Sequence, residues 1–317
     1  MNLLIVGAGG QVGRELVRLA DHSRDRVTAL DRSGLDLADP ERVRAAVRRT
    51  TPDVVLNAAA YAAVDRAESE PERAFSVNRD GPRHLAEACA ETGAALIHLS
   101  TDFVFDGRTD RPYLEDDPVS PLGVYGQSKA DGEAAVRAAL DRHLIVRASW
   151  VFGVFGQNFA KTMIRLGRER EILRVVDDQR GRPTCAADLA RTLLRLARAV
   201  RDSESVPWGV YHFCGKGVAT WREFAVAVLE SARARVPLAV REIRPISTAE
   251  YPTPARRPAF SALDCGKIGK NFGIHPRPWR ECLPEVVEDI VRLEEGISRD
   301  IVGGPRFEGD AGGARLG

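Results

Sequence analysis

Lysine is scarce in this chain: five of its 46 basic residues are Lys and the remaining 41 are Arg. Such an arginine excess suits a nucleic-acid partner. The 45 acidic residues, however, bring the net charge to +1, and the arginines are scattered along helices such as Arg191 to Arg201. That is the pattern of a solvated face, so no nucleic acid is expected as a partner. Cysteine is sparse and odd in number, at five, with no C-x-x-C pair, which argues against a disulfide framework or a thiolate metal site and fits a reducing cytoplasm. The six histidines form no H-x-x-H or H-E-x-x-H pattern, so metal catalysis lacks its usual ligand spacing. No window approaches twenty apolar residues, and neither a membrane span nor membrane association is expected. The run Leu3 to Val6 directly follows Asn2 without a basic leader, and no export signal is expected either.

What is present is an alternation of apolar runs and helical patterns. Leu3-Leu4-Ile5-Val6 reads as a buried strand. Gly7, Gly10 and Gly13 follow it, and Glu15 to Leu19 continue with helical spacing. Strand, glycine turn and helix is the context a dinucleotide fingerprint needs: glycines let the backbone approach a pyrophosphate, and the helix N-terminus meets its charge. Arg26 to Leu30 is a second strand ending at Asp31, where an acid can meet the adenosine ribose. Arg32 follows, and a guanidinium there can instead hold a 2′-phosphate, so NADPH and NADH both remain open. Asp36 and Leu37 precede a helix starting at Pro40, as the edge of an adenine pocket or as an ordinary cap.

Asp53 to Leu56 is a third strand, running into Asn57-Ala58-Ala59-Ala60-Tyr61-Ala62, whose small residues leave room for a ligand. A helix spans about Pro71 to Glu91, with Asn78 inside it as either a polar bridge or an exposed neutral position. Ala95 to Leu99 is a fourth strand that delivers Ser100-Thr101-Asp102, and its His98 reads as a satisfied core histidine. Leu144 to Val146 is a fifth, leading to Ser149-Trp150. This alternation implies an α/β fold, a Rossmann-type doubly wound parallel sheet over residues 1–152. Parts of 170–220 are expected to complete it, and 153–300 to form mainly a smaller C-terminal substrate-binding domain. In that second region Tyr251 to Pro258 is too proline-rich for a helix, and Arg256 with Arg257 suits a phosphate or a solvated loop. Residues 301–317, rich in glycine, read as a disordered tail.

Within this frame Tyr125-Gly126-Gln127-Ser128-Lys129 carries the chemistry. A Tyr and a Lys four apart share one helix face. The ammonium beside the phenol favours phenolate, and a tyrosine so tuned exchanges a proton with a carbonyl or hydroxyl oxygen.

Taken in order, the stretches GGQVG, NAAAYAAVDRAESEPE, STDFVFDG, SPLGVYGQSKADGE, RASWVFG, NFAKTMIRL, DDQRGRPT and YPTPARRP resemble the dTDP-4-dehydrorhamnose reductase family of extended short-chain dehydrogenases/reductases. The resemblance implies Tyr125 as proton donor, Lys129 as its ribose-binding partner, and Thr101 bonding the keto oxygen. It implies cofactor contacts at Gly10, Gln11, Val12, Asp31, Asp36, Leu37, Ala60, Tyr61 and Ala62, to which the glycine turn and the strand ends add Gly7, Gly13, Arg32 and Leu99, besides Tyr125 and Lys129. It places Thr101, Asp102, Trp150 and Asn158 near the sugar nucleotide, and Arg256 joins them as the phosphate candidate of the proline-rich stretch. Phe103 stands where Tyr is usual, and Tyr61 where His is frequent. Glu15 matches a Mg2+ ligand of some members, but Ala187 interrupts the second acidic cluster, leaving Asp188, so no metal is expected to be required. The implied reaction is NAD(P)H-dependent reduction of the C4 keto group of dTDP-4-dehydro-β-L-rhamnose to dTDP-L-rhamnose, with a dTDP-4-keto-6-deoxysugar as substrate and a monomer or homodimer as the working form. A 4-ketoreductase of another dTDP-deoxysugar is the nearest alternative. A non-catalytic homologue, like the regulatory subunit of methionine adenosyltransferase, would not need Thr101, Tyr125 and Lys129 together.

Overall fold

The computed structural model describes residues 1–21 and 25–294; the tail expected at 301–317 lies outside them. Five strands form in the order expected: β1 (Asn2–Val6), β2 (Arg26–Leu30), β3 (Val54–Asn57), β4 (Ala95–Thr101) and β5 (His143–Ala148). With Gly209–His212 they make a six-stranded parallel sheet in the order β2-β1-β3-β4-β5-(209–212). The chain reverses its direction of travel between β1 and β3. At such a switch point the loops leaving the carboxyl ends diverge and open a crevice for ligands.

The strands read as unbroken apolar runs because both faces are covered. Leu3, Ile5, Val54, Leu56 and Ile97 pack with the helices Gln11–Ala20 and Ala186–Asp202 on one face. Leu4, Val6, Val55, Leu96 and Ile145 pack with the helices Pro40–Thr50, Gly81–Thr92 and Val124–Ala139 on the other. A separate apolar cluster gathers Phe152, Met163, Leu173, Phe224, Trp279 and Val287. It draws on helices Phe159–Glu169, Trp221–Arg233 and Trp279–Glu294 and on the parallel pair Ile172–Val176 and Glu242–Ile246.

The helix expected from Pro71 to Glu91 is interrupted by a π-turn at Ser76–Asp80. The turn settles the two readings of Asn78. Its Oδ1 accepts the Tyr61 N–H at 2.8 Å, while its Nδ2 donates to Tyr61 O at 3.1 Å and to Ser128 Oγ at 3.0 Å. Asn78 is thus a buried bridge between the Tyr61 loop and the helix carrying Tyr125, and π-turns occur often at such functional junctions.

Candidate active site

The carboxyl ends of β1, β3 and β4 open into a cleft of about 1400 Å³, and the expected residues converge on it. At its floor the glycine turn has the geometry of a phosphate cradle. Gly7 has φ +83°, and a Cβ there would lie 2.5 Å from Ala59 N; a Cβ on Gly13 would lie 2.0 Å from Gly7 O. Gly10 caps the helix Gln11–Ala20 without any side-chain hydrogen bond, and no acidic residue occupies the first turn. The helix N-terminus is therefore left for an anion.

Gln11 and Val12 line this end of the cleft, as do Asp31, Arg32, Asp36 and Leu37. Asp31 spends one oxygen locally, since Oδ1 accepts from Ser33 N, Ser33 Oγ and Gly34 N at 2.6–3.1 Å. The Ser33 hydroxyl, with these backbone N–H groups, holds its carboxyl below the usual range. The cap of Pro40–Thr50 is Asp39, whose Oδ1 accepts from Glu41 N and Arg42 N, so Asp36 is free of that duty. Arg32→Ala is expected to lower the kcat/KM ratio of NADPH over NADH roughly 10- to 100-fold, because one charged hydrogen bond to a phosphate is worth about 1.5–3 kcal/mol. An unmoved ratio would remove Arg32 from the phosphate site.

Ala60, Tyr61 and Ala62 form one wall, with Leu99, Thr101, Asp102, Tyr125 and Lys129 opposite the glycine turn. Thr101 Oγ1 donates to Asp102 Oδ1 at 3.1 Å and accepts the Phe103 N–H at 3.2 Å. Phe103 itself meets the Tyr125 ring edge-on at 5.5 Å. Burial pushes the Tyr125 phenol up to about 12, with the Thr101 hydroxyl pulling the other way. That direction differs from the expectation that Lys129 would favour phenolate. The reason is geometric: Lys129 Nζ donates to Leu99 O at 2.7 Å and meets His98 Nε2 at 3.2 Å, so its head is turned to β4. Burial pushes Lys129 down to about 8, against the pull of Glu133. His98 is the satisfied core histidine expected, but it is bonded directly to a proposed catalytic group.

Asp102 is buried, its Oδ2 makes no hydrogen bond of good geometry among the described residues, and burial pushes its carboxyl up to about 6 against the pull of the nearby Ser261 and Thr101 hydroxyls. A buried, unpaired acceptor lining a cleft calls for a donor from a ligand.

Trp150 lines the cleft with a left-handed backbone, φ 46°, uncommon for a bulky residue. Its indole stacks flat on Trp221 at 3.5 Å, and Trp221 also packs on Phe159. Trp221 was not anticipated from the sequence. The available signal was the capping box Thr220-x-x-Glu223, which sets Trp221 at the first turn of its helix.

Two expected substrate residues sit elsewhere. Asn158 caps the helix Phe159–Glu169 and donates to Gln11 Oε1 at 2.9 Å, tying that helix to the glycine turn without lining the cleft. Arg256 is exposed and outside the lining. Its neighbour Arg257 lines the cleft instead, held by a bidentate pair with Asp65 at 2.9 and 3.1 Å. Glu15 is buried in an ion pair with Arg18 at 2.7 Å, away from the cleft. Cys185, Asp188 and Cys282 lie close enough to share an ion. Both Asp188 oxygens, however, are taken by Arg191 and Arg277 at 2.7 Å, and a guanidinium there opposes a cation.

Comparison with known proteins shows the family. The family model described as the RmlD substrate binding domain matches residues 1–292. The chain belongs to the dTDP-4-dehydrorhamnose reductase family. A dTDP-4-dehydrorhamnose reductase of Aggregatibacter actinomycetemcomitans is 45% identical over 286 residues, covering 90% of this chain and 97% of its own. The crystal structure of a dTDP-4-dehydrorhamnose reductase from Clostridium acetobutylicum superposes with a TM-score of 0.85 at 36% identity, covering 91% and 99% of the two chains. That of the Bacillus anthracis reductase, determined in complex with NADP, gives 0.83 at 34%, covering 90% and 98%.

Proposed function

We propose that this family member reduces the C4 keto group of dTDP-4-dehydro-β-L-rhamnose to dTDP-L-rhamnose with NADPH, NADH serving as a weaker substitute. The observation that carries the reading is the meeting of Thr101, Tyr125 and Lys129 in one cleft with a glycine turn and a helix N-terminus that no side chain caps. The Gly7–Gly13 turn and the first turn of its helix would hold the pyrophosphate, and Asp31 with Arg32 the adenosine ribose. When bound, NADPH supplies a hydride. Tyr125 gives its proton to the oxygen at C4, and it arrives protonated because burial holds its phenol far above neutral pH. The Thr101 hydroxyl lies beside that phenol and orients the carbonyl. Asp102 Oδ2 takes a sugar hydroxyl. The Trp150–Trp221 stack offers a flat apolar wall to the methyl-bearing side of the deoxysugar. Residues 153–300 act mainly as the substrate domain, with Arg257 at the nucleotide end.

Trp150→Ala should therefore raise KM for the keto sugar while leaving NADPH affinity unchanged. A loss of thermal stability alone, with normal kinetics, would make Trp150 scaffold. No helix among the described residues is long and apolar enough to cross a membrane. The five cysteines are free thiols, which favours the cytoplasm as the place of action, as a monomer or homodimer.

The direct test mixes the protein and NADPH with a panel of dTDP- and UDP-linked 4-keto sugars and follows nicotinamide absorbance. Turnover confined to other deoxysugars would replace the proposed substrate, and none with any would overturn the reading.

A further inference from the structure

The helix that carries Tyr125 does not cap itself. Val124–Ala139 begins at Gly123, which has no side chain to offer, and no acidic residue stands in its first turn. Its first N–H groups therefore lack a partner within the helix. The Val124 N–H finds one 56 residues away, donating to Glu68 Oε1 at 2.8 Å. Gly123 is what admits that carboxylate. A Cβ there would overlap Glu68 Oε1 at 2.4 Å, while the backbone itself, at φ −153°, is extended and open to any residue. Glu68 sits on a braced segment: it follows the short helix Val64–Ala67, just beyond the cleft wall Ala60–Ala62. Asn78 holds both backbone groups of Tyr61, the Tyr61 hydroxyl donates to Glu70 Oε2 at 2.8 Å, and Asp65 holds Arg257.

We propose that Glu68 is a positioning residue for the proton transfer, its carboxylate tying the first turn of the Tyr125 helix to the cleft wall Ala60–Ala62. Two ties bracket Tyr125, Glu68 at Val124 and Asn78 at Ser128, and both start from the chain between residues 61 and 78. Ser128 Oγ in turn donates to Tyr125 O at 2.8 Å. One anchor at each end of that turn fixes its tilt and rotation, and with them the reach of the Tyr125 hydroxyl into the cleft. A negative group also suits the positive end of the helix dipole. Without Glu68 the turn is held at one end only, and a reacting group misplaced by about 1 Å costs on the order of 10²-fold in rate. The role rests on the reading of Tyr125 as proton donor. The competing account is a plain helix cap, which stabilises the fold wherever its acceptor comes from.

Glu68→Ala should lower kcat roughly 10-fold or more with NADPH affinity unchanged. Glu68→Gln keeps an acceptor oxygen and should retain most of the native kcat. Glu68→Ala/Gly123→Ser moves the cap into the helix, where Ser is a favoured N-cap and the space left by Glu68 admits it. That double variant should regain the native melting temperature but not the native kcat. Recovery of both would reduce Glu68 to a cap and overturn the proposal. In a Tyr125→Phe background, Glu68→Ala should lower the residual rate by less than about 3-fold, because the group it positions is gone. A full further loss there would place the action of Glu68 elsewhere and overturn the proposal as well. Any 4-keto sugar that the native protein reduces serves as substrate, so a panel that replaces the proposed sugar leaves these readings standing. The Tyr125 ring resonances, assigned from Tyr125→Phe among the five tyrosines, read the same displacement without turnover. They should move in Glu68→Ala and in the double variant and stay in place in Glu68→Gln. Unmoved resonances in Glu68→Ala overturn the positioning role whatever the sugar panel shows.

Discussion

Tyr125→Phe is expected to lower turnover with NADPH and the keto sugar by on the order of 10²-fold or more. The change deletes one hydroxyl from a ring that otherwise keeps its edge-on contact with Phe103 at 5.5 Å. The helix around it is fixed independently, by Ser128 Oγ donating to Tyr125 O at 2.8 Å and by Asn78 bonding Ser128. NADPH affinity should therefore barely change, and the loss should appear in kcat. The pH dependence has a definite sign. In the reducing direction the phenol must carry its proton, and with its folded value raised to about 12 it does so throughout the neutral range. Activity in the native protein should thus show no alkaline loss from Tyr125 near neutrality, and any limb near pH 8 belongs to Lys129. Near-normal kcat in Tyr125→Phe would dismantle the proton-donor assignment. A kcat that fell together with NADPH affinity would instead show that the ring, not the proton, is what matters.

The glycine turn, the order of β1 to β5 and the Tyr-x-x-x-Lys pair were legible because each is local. Periodicity and spacing within fifteen residues suffice to place them. What escaped the sequence is carried by contacts between distant segments. Glu133 of the helix Val124–Ala139 and Arg147 of β5 form a buried pair through the packing of helix on sheet, and nothing in either neighbourhood marks the other. His98 was correctly placed in the core, but its partners Asn57 and Lys129 lie on different elements and meet only once β3 pairs with β4. The choice between Arg256 and Arg257 turned on the backbone of a proline-rich loop, where side-chain direction follows no period. Trp221 arrives from the region where the strand–helix alternation fades, and only packing on Trp150 reveals it. Asp31 and Arg32 line the same end of the cleft, so the fold keeps together the two residues whose opposite expectations left cofactor preference open in the sequence.

Glu133→Gln is the substitution expected to cost most in stability, about 3–5 kcal/mol. Both partners of the pair are almost wholly buried: Arg147 Nη2 and Nε bond the two Glu133 oxygens at 2.6 and 2.9 Å. The remaining Arg147 nitrogen reaches Glu115 O and His212 Nε2, and the guanidinium lies over the Phe105 ring. Burial, then the charge of Arg147, pushes His212 down to about 3, so it is neutral and supplies no compensating charge. Gln keeps the shape of Glu but leaves Arg147 as an uncompensated buried cation, and removing one member of such a pair is what makes it costly. The loss should appear as a lower urea midpoint with an unchanged slope. Arg147→Met in the same background removes the stranded charge and should recover much of the loss, since a buried pair replaced by apolar groups of similar volume is often neutral. Ser100, which donates to Glu133, precedes Thr101, so a catalytic role for the pair is the competing explanation. The two separate cleanly: if Glu133→Gln loses turnover at full stability, the pair aligns Thr101, and if the double variant stays as unstable as the single one, the stranded charge is not the cause.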